Sequence, residues 1–252
     1  MKVLIVARPD IVTKKKAEKL GKKLYSLGFD VWFNKPMCKN NACDIKKFKN
    51  GIVITIGGDG TFFWASHKTK CPILPVRDNR LGFLCTVDYE ELFKNPEKIK
   101  NTKTVFYPRL KTSLDLPEAV NDVVVTRKSK KPINLTFSIK HTDFSFFGDG
   151  IIFSTSNGST AYSLSAGGSV IIPTLDVINI VPVTPFNSKI KPMVVSTVEK
   201  IKVSVKNSLV VVDGQKSIQF TGTFTISKGK PLKVLIFRDI NFYSLFKQKF
   251  LD

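Results

Sequence analysis

Apolar residues fall into two textures along this chain. In the first hundred positions, the short runs Val3 to Ala7, Phe29 to Phe33, Ile52 to Ile56 and Ile73 to Val76 predict strands. Between the first two, residues 13–27 carry Ala17, Leu20, Leu24 and Leu27 on one face at helical spacing, with Gly28 as the stop. Strand and helix alternate, which predicts an α/β domain with a mainly parallel sheet. From about residue 100 the runs become shorter and are punctuated by Pro, Gly, Asn and Asp: Val123 to Thr126, Ile133 to Lys140, Ile201 to Val205, Leu209 to Val212, Ile218 to Phe220 and Leu232 to Phe237. That texture predicts an all-β, sandwich-like second domain. Residues 95–104 read as a linker, and residues 241–252 place Phe242, Leu245, Phe246 and Phe250 at helix-like intervals. The expected organisation is an α/β domain over 1–98, a β-rich domain over 99–240 and a tail over 241–252.

Composition narrows the class. With 252 residues and 42% hydrophobic side chains, the chain can bury two modest cores. The apolar runs are much too short to cross a bilayer or to form a secretory leader, so a soluble, cytoplasmic protein is expected without membrane partners. Cys38, Cys43, Cys71 and Cys85 form no CxxC pair and only His67 and His141 are present, which leaves little for a structural zinc site. Free thiols are expected. A net charge of +20 raises nucleic-acid binding as a function. The lysines, however, are scattered in short groups without a recognition helix or stacking aromatics, so they read as solvated faces and nucleic acid is disfavoured as a partner. A positive field does concentrate anionic nucleotides.

Two glycine-rich segments carry the chemistry. The strand Ile52 to Ile56 runs into Gly57-Gly58-Asp59-Gly60-Thr61, so one carboxylate sits in a turn whose backbone N–H groups can approach a phosphate. Asp59 can act there as a base or hold a metal ion. The second segment runs from Gly148-Asp149-Gly150 through Asn157-Gly158-Ser159-Thr160-Ala161-Tyr162 to Ser165-Ala166-Gly167-Gly168, dense in hydroxyl and small residues. With Asn157 or Gly158 leading in, residues 159–166 are expected to form a short helix whose free N–H groups attract anions. Between the two lies Asn121-Asp122, just before the strand Val123-Val124-Val125. The turn after the first strand is Arg8-Pro9-Asp10, so neither a dinucleotide fingerprint nor a Walker A loop is present.

The GGDGT loop, the Asn-acidic pair and the GSTAYSLSAGG run, in this order and spacing, resemble the NAD kinase family across nearly the whole chain. GGDGT alone is shared with lipid kinases; the second segment is far narrower. The resemblance implies transfer of a phosphoryl group from ATP or polyphosphate to the 2′-hydroxyl of the adenosine ribose of NAD, with Mg²⁺ or another divalent cation as cofactor. It implies Asp59 as the general base. For NAD binding it implies Gly60, Phe83, Asn121, Asp122, Asp149, Thr160, Ala161, Tyr162 and Ser165. Gly57, Gly58, Thr61, Arg80, Asn157 and Gly158 are expected on phosphate or ATP, with the active site between the two domains. A tail returning to the first domain and a homodimer or homotetramer are also implied.

Departures from the family pattern are visible. Asp122 stands where Glu is commoner, Ser156-Asn157 where Pro-Thr is usual, and Phe147 where an Arg precedes Gly-Asp-Gly. Arg80-Leu81-Gly82-Phe83-Leu84 matches, but Val76-Arg77-Asp78-Asn79 before it does not. Asp213-Gly214-Gln215 matches the family's DGQ turn, without a site role. The competing readings are a GGDGT-type lipid or sugar kinase and a basic, non-enzymatic nucleotide- or nucleic-acid-binding protein.

Overall fold

The computed structural model describes residues 1–35, 41–78, 82–85, 87–186 and 189–251. The chain divides into two units: Met1–Phe106 together with the segment from Leu232 onward, and Tyr107–Pro231.

The first unit is built on an eight-stranded sheet. Its strands are β1 (Lys2–Ala7), β2 (Asp30–Asn34), β3 (Ala42–Cys43), β4 (Ile52–Gly57), β5 (Ile73–Arg77), β6 (Val87–Asp88), β7 (Lys103–Tyr107) and β17 (Leu232–Ile236). The order is β3-β2-β1-β4-β5-β17-β7, with β6 beside β5. Pairing is parallel from β3 through β17, as the unbroken apolar runs Val3 to Val6 and Val53 to Ile56 require of strands covered on both faces. Helix α1 (Ile11–Ser26) starts where Asp10 accepts the Thr13 N–H at 2.9 Å, and it buries Ala17, Leu20 and Leu24. Chain order reverses between β1 and β4. Open sheets of this kind bind ligands beyond the carboxyl ends of their strands at that reversal. Gly57 and Gly58 lie there, at the end of β4.

Two expectations differ from this unit. Residues 96–101 form a 3-10 turn that buries Ile99, so the supposed linker is packed, and β7 follows it within the first sheet. The run Leu232 to Phe237 contributes β17 to the same sheet and not to the second domain, because Val234 pairs with Ile73 and Leu235 joins the first core. A run of five residues looks alike in either sheet; only its partners distinguish them. The final helix, α5 (Phe242–Phe250), is capped by Asn241 through the Ser244 N–H at 3.1 Å.

The second unit is one nine-stranded antiparallel sheet, which bears out the β-rich expectation. It comprises β8 (Leu110–Thr112), β9 (Asp122–Arg127), β10 (Ile133–Ile139), β11 (Thr142–Gly148), β12 (Gly150–Ser154), β13 (Val177–Val183), β14 (Met193–Ser196), β15 (Ile201–Val212) and β16 (Lys216–Lys228). The path β11-β10-β15-β9-β12-β13-β14 is joined by β16, which pairs with β15 and β8. The two runs expected at 201–205 and 209–212 are one long strand, interrupted by a register shift between Val205 and Ser208 where Asn207 adopts a φ of 50°. Phe137 of β10 meets Phe153 of β12 edge-on at 6.3 Å although two strands separate them in the sheet order. The sheet therefore curls around one core that also holds Ile151, Val210 and Phe224.

Candidate functional site

In the first unit, the site centres on the Asp59 carboxylate. Helix α2 (Asp59–Ser66) begins at Gly58, which puts Asp59 in its first turn, and the Thr61 N–H closes back on Gly58 O at 3.0 Å. Both carboxylate oxygens are held by backbone: Phe83 N–H donates to Oδ2 at 3.1 Å and Leu84 N–H to Oδ1 at 3.2 Å. Gly82 makes that approach possible, since a Cβ there would lie 2.5 Å from Asp59 Oδ1. The carboxylate is thus fixed in direction while retaining lone pairs for a further proton or cation. Around it, the Cys85 thiol is buried and donates weakly to Gly57 O; burial, and then Asp59, push its pKa well above the usual range, so it stays a neutral thiol.

The strand ends beside this loop carry a polar cluster that sequence reading did not single out. Arg8 N–H donates to Ile56 O at 3.0 Å, and Asp78 N–H to Gly57 O at 3.1 Å. Asp78 is buried and accepts from Thr13 Oγ1 at 2.8 Å and Lys16 Nζ at 2.6 Å. Burial pushes its pKa up, but the Lys16 and Thr13 hydrogen bonds outweigh that and hold it below the ordinary carboxylate value. Of the two arginines in the stretch 76–84, Arg77 is committed to Asp88 through a two-pronged pair at 2.6 and 2.9 Å. Arg80, the other, lies outside the described residues. The Phe83 ring, expected against NAD, stacks on Phe250 at 5.6 Å, and Lys249 Nζ stands 4.1 Å from its centre.

In the second unit, Asn121 and Asp122 lie where β9 begins. The Asp213 carboxylate accepts the N–H groups of Val120, Asn121 and Asp122 at 2.9, 2.8 and 3.1 Å. Three donors on one side chain fix the whole turn, a role that sequence inspection did not assign to Asp213. Asp122 itself is buried, and burial, followed by the neighbouring Asp213 charge, raises its pKa to about 7. Gly158 packs directly on the Asn121 backbone, and a Cβ at 158 would overlap Asn121 O. Asn121 Oδ1 and Asn157 Nδ2 are both buried with no hydrogen-bond partner among the described residues. One is an acceptor and the other a donor. Each such orphan costs roughly 1–3 kcal/mol unless a ligand satisfies it.

The expected helix over 159–166 is not continuous. Asn157–Thr160 form a 3-10 turn, and α4 (Tyr162–Ser165) is a single α-helical turn. Its hydroxyls are used internally: Thr155 Oγ1 accepts the Gly158 N–H at 3.1 Å, and Ser159 Oγ bridges Ser156 O and Ile171. The Gly158 N–H, expected on phosphate, is thereby taken. Thr160 is buried and reaches back to Asn157 O at 3.4 Å, whereas Tyr162 and Ser165 are exposed beside it. Tyr162 is therefore no core aromatic, and its ring face is free to stack on a base. Asp149 lies at the other end of β12, since Ser154 pairs with Asp122 and Gly150 with Thr126; it is tied to Arg127 at 2.7 Å. The unit gathers Asn121, Asp122, Asn157, Gly158, Thr160 and Tyr162, and leaves Asp149 apart.

A carboxylate fixed at the reversal of a parallel α/β sheet stands where open sheets of this kind bind nucleotide ligands. Residues 120–236 match the family described as ATP-NAD kinase C-terminal domain. The NAD kinase of Methanothermobacter thermautotrophicus is 32% identical over 235 residues, covering 85% of this chain and 83% of the relative. That of Clostridium beijerinckii is 30% identical, covering 96% and 90%. A crystal structure of an NAD kinase from Archaeoglobus fulgidus in complex with ATP superposes with a TM-score of 0.81 at 28% identity, over 99% of this chain and 97% of that one. The yeast NADH kinase structure complexed with NADH shares the fold, with a TM-score of 0.87 over 100% and 87% of the two chains, at 21% identity. The chain belongs to the NAD kinase family.

Proposed function

We propose that this member of the family transfers a phosphoryl group from ATP or polyphosphate to the 2′-hydroxyl of the adenosine ribose of NAD, yielding NADP. The observation that carries the reading is that Asn121 Oδ1 and Asn157 Nδ2, an acceptor and a donor suited to ribose hydroxyls and base edges, are buried with no partner among the described residues. Asp122, Thr160, Ala161, Tyr162 and Ser165 surround or follow them, and Tyr162 supplies a stacking face. Gly57, Gly58 and Thr61, at the end of β4 and the start of α2, are assigned to the donor phosphates, and Gly60 beside them to NAD.

Asp59 is the proposed base. As the 2′-oxygen attacks the terminal phosphorus, the new O–P bond forms and the bond to the bridging oxygen breaks. ADP, or the shortened polyphosphate, departs with that electron pair, and the hydroxyl proton passes to Asp59. Positioning dominates such loose transition states, so a carboxylate already fixed by Phe83 and Leu84 N–H groups loses little freedom on reaction. No group of three or more metal-ligating side chains exists among the described residues. Asp59, whose carboxylate keeps lone pairs beyond its two backbone hydrogen bonds, would be the protein carboxylate available to Mg²⁺ or Mn²⁺. Such an ion neutralises charge on the donor phosphates when bound.

Among the described residues no helix is long and apolar enough to cross a membrane. A homodimer or homotetramer in the cytoplasm is the assembly the resemblance supports, and light scattering of the purified protein reads its mass. The function is tested by NADP formation from NAD, ATP and Mg²⁺, followed with an NADP-specific dehydrogenase. Asp59→Asn is expected to lower kcat by about 10²–10⁴-fold with NAD affinity nearly unchanged. A folded wild type that makes no NADP from either donor overturns the reading in favour of another acceptor.

A further inference from the structure

The C-terminal helix delivers a cation to the Asp59 loop. Along α5, Phe242, Phe246 and Phe250 form an aromatic ladder with centroid separations of 6.2 and 4.9 Å, and Phe250 continues it onto Phe83 at 5.6 Å. Lys249 Nζ lies 4.1 Å from the centre of the Phe83 ring and 6.0 Å from that of Phe250. Phe83 is the residue whose N–H holds Asp59 Oδ2 at 3.1 Å, so its ring fixes the ammonium and its backbone fixes the carboxylate. Lys249 is partly buried; burial pulls its pKa below the ordinary lysine value, and the Asp59 charge opposes that pull. An aromatic face alone accounts for a cation of this kind as packing. Proximity to the one carboxylate held in the glycine-rich loop gives it a second use.

We propose that Lys249 is a phosphate-binding residue of the donor site, set by α5 and the Phe83 ring to meet oxygens of the transferring phosphoryl group. The proposal rests on the phosphotransferase reading, in which the phosphoryl group moves to a hydroxyl beside Asp59, and on Phe83 being the residue that Lys249 and Asp59 both contact. Lysine suits the place as a compact point charge on a flexible stem. Lys249 is seated on the Phe83 ring and makes no ion pair at salt-bridge distance among the described residues, which leaves its ammonium available to phosphate.

The test compares Lys249→Met, which keeps the apolar stem, with Lys249→Arg, which keeps the charge. NADP formation, NAD affinity and thermal unfolding are measured for each. Lys249→Met is expected to lower kcat by about 10–100-fold with the KM for NAD changed less than twofold, while Lys249→Arg retains most of the rate. Wild-type kcat in Lys249→Met overturns the proposal. So do equal losses in both variants accompanied by a lowered Tm, since that pattern belongs to a helix anchor. If the wild type makes no NADP, calorimetric titration with inorganic tripolyphosphate decides separately. Binding weakened about tenfold in Lys249→Met and preserved in Lys249→Arg upholds the phosphate contact, and equal binding by all three proteins removes it.

Discussion

Asp213 holds the Asn121 N–H at 2.8 Å across 92 residues of sequence, and with it the N–H groups on either side. The β9 entry is therefore shaped by a carboxylate from the end of β15. Asp213→Ala leaves buried donors without an acceptor and is expected to destabilise the protein by about 2–4 kcal/mol in urea unfolding. NAD affinity should fall at least tenfold, with Asp213→Asn intermediate because one oxygen remains. Unaltered stability and affinity in the alanine variant would return Asp213 to an ordinary turn.

The titration of Asp122 gives stability a direction with pH. Its pKa is about 7 in the folded protein, raised by burial and then by Asp213, against roughly 3.9 for an exposed aspartate. The folded state keeps this proton where the unfolded chain has released it. The contribution is fully present below about pH 4 and is lost as pH rises through 7, amounting to roughly 2–4 kcal/mol. Asp122→Asn should flatten the stability profile between pH 5 and 8, read as a smaller change in urea midpoint. A slope identical to wild type would show that Asp122 titrates normally.

Gly82→Ala isolates the positioning of Asp59. Its Cβ would stand 2.5 Å from Oδ1, and the carboxylate must turn away from the Phe83 and Leu84 N–H groups. The expected outcome is a fold of near wild-type stability with kcat lowered about tenfold or more and the KM for NAD little moved. Full activity would mean that the clamp is dispensable.

Much of this was legible in the sequence for particular reasons. Unbroken apolar runs such as Ile52 to Ile56 announce strands buried on both faces, and the glycines after them announce a close approach. Asn121 and Asp122 come beside the segment leading to Thr160 because β9 pairs with β12 and the Thr155 N–H reaches Asn121 O at 2.8 Å. What escaped was set by partners distant in sequence. Leu232 to Ile236 reads as one more β run, and its place between β5 and β7 makes it part of the first sheet. Asp213, Asp78 and Lys249 act on groups 92, 62 and more residues away, for which local periodicity carries no signal. The 159–166 helix was overestimated because Thr155 and Ser159 compete for the backbone, as hydroxyl side chains do.

The place of β17 bears on how the chain is made. It lies between β5 and β7 in the first sheet, yet 125 residues of the other unit, Tyr107–Pro231, separate it from the strands synthesised earlier. Until residue 236 has left the ribosome, β5 and β7 each present an open edge, the arrangement most prone to pairing with another chain. The second unit has all its strands by residue 228 and can close first. The carboxylate loop of Asp59 thus belongs to a sheet one of whose inner strands follows the whole second unit in sequence.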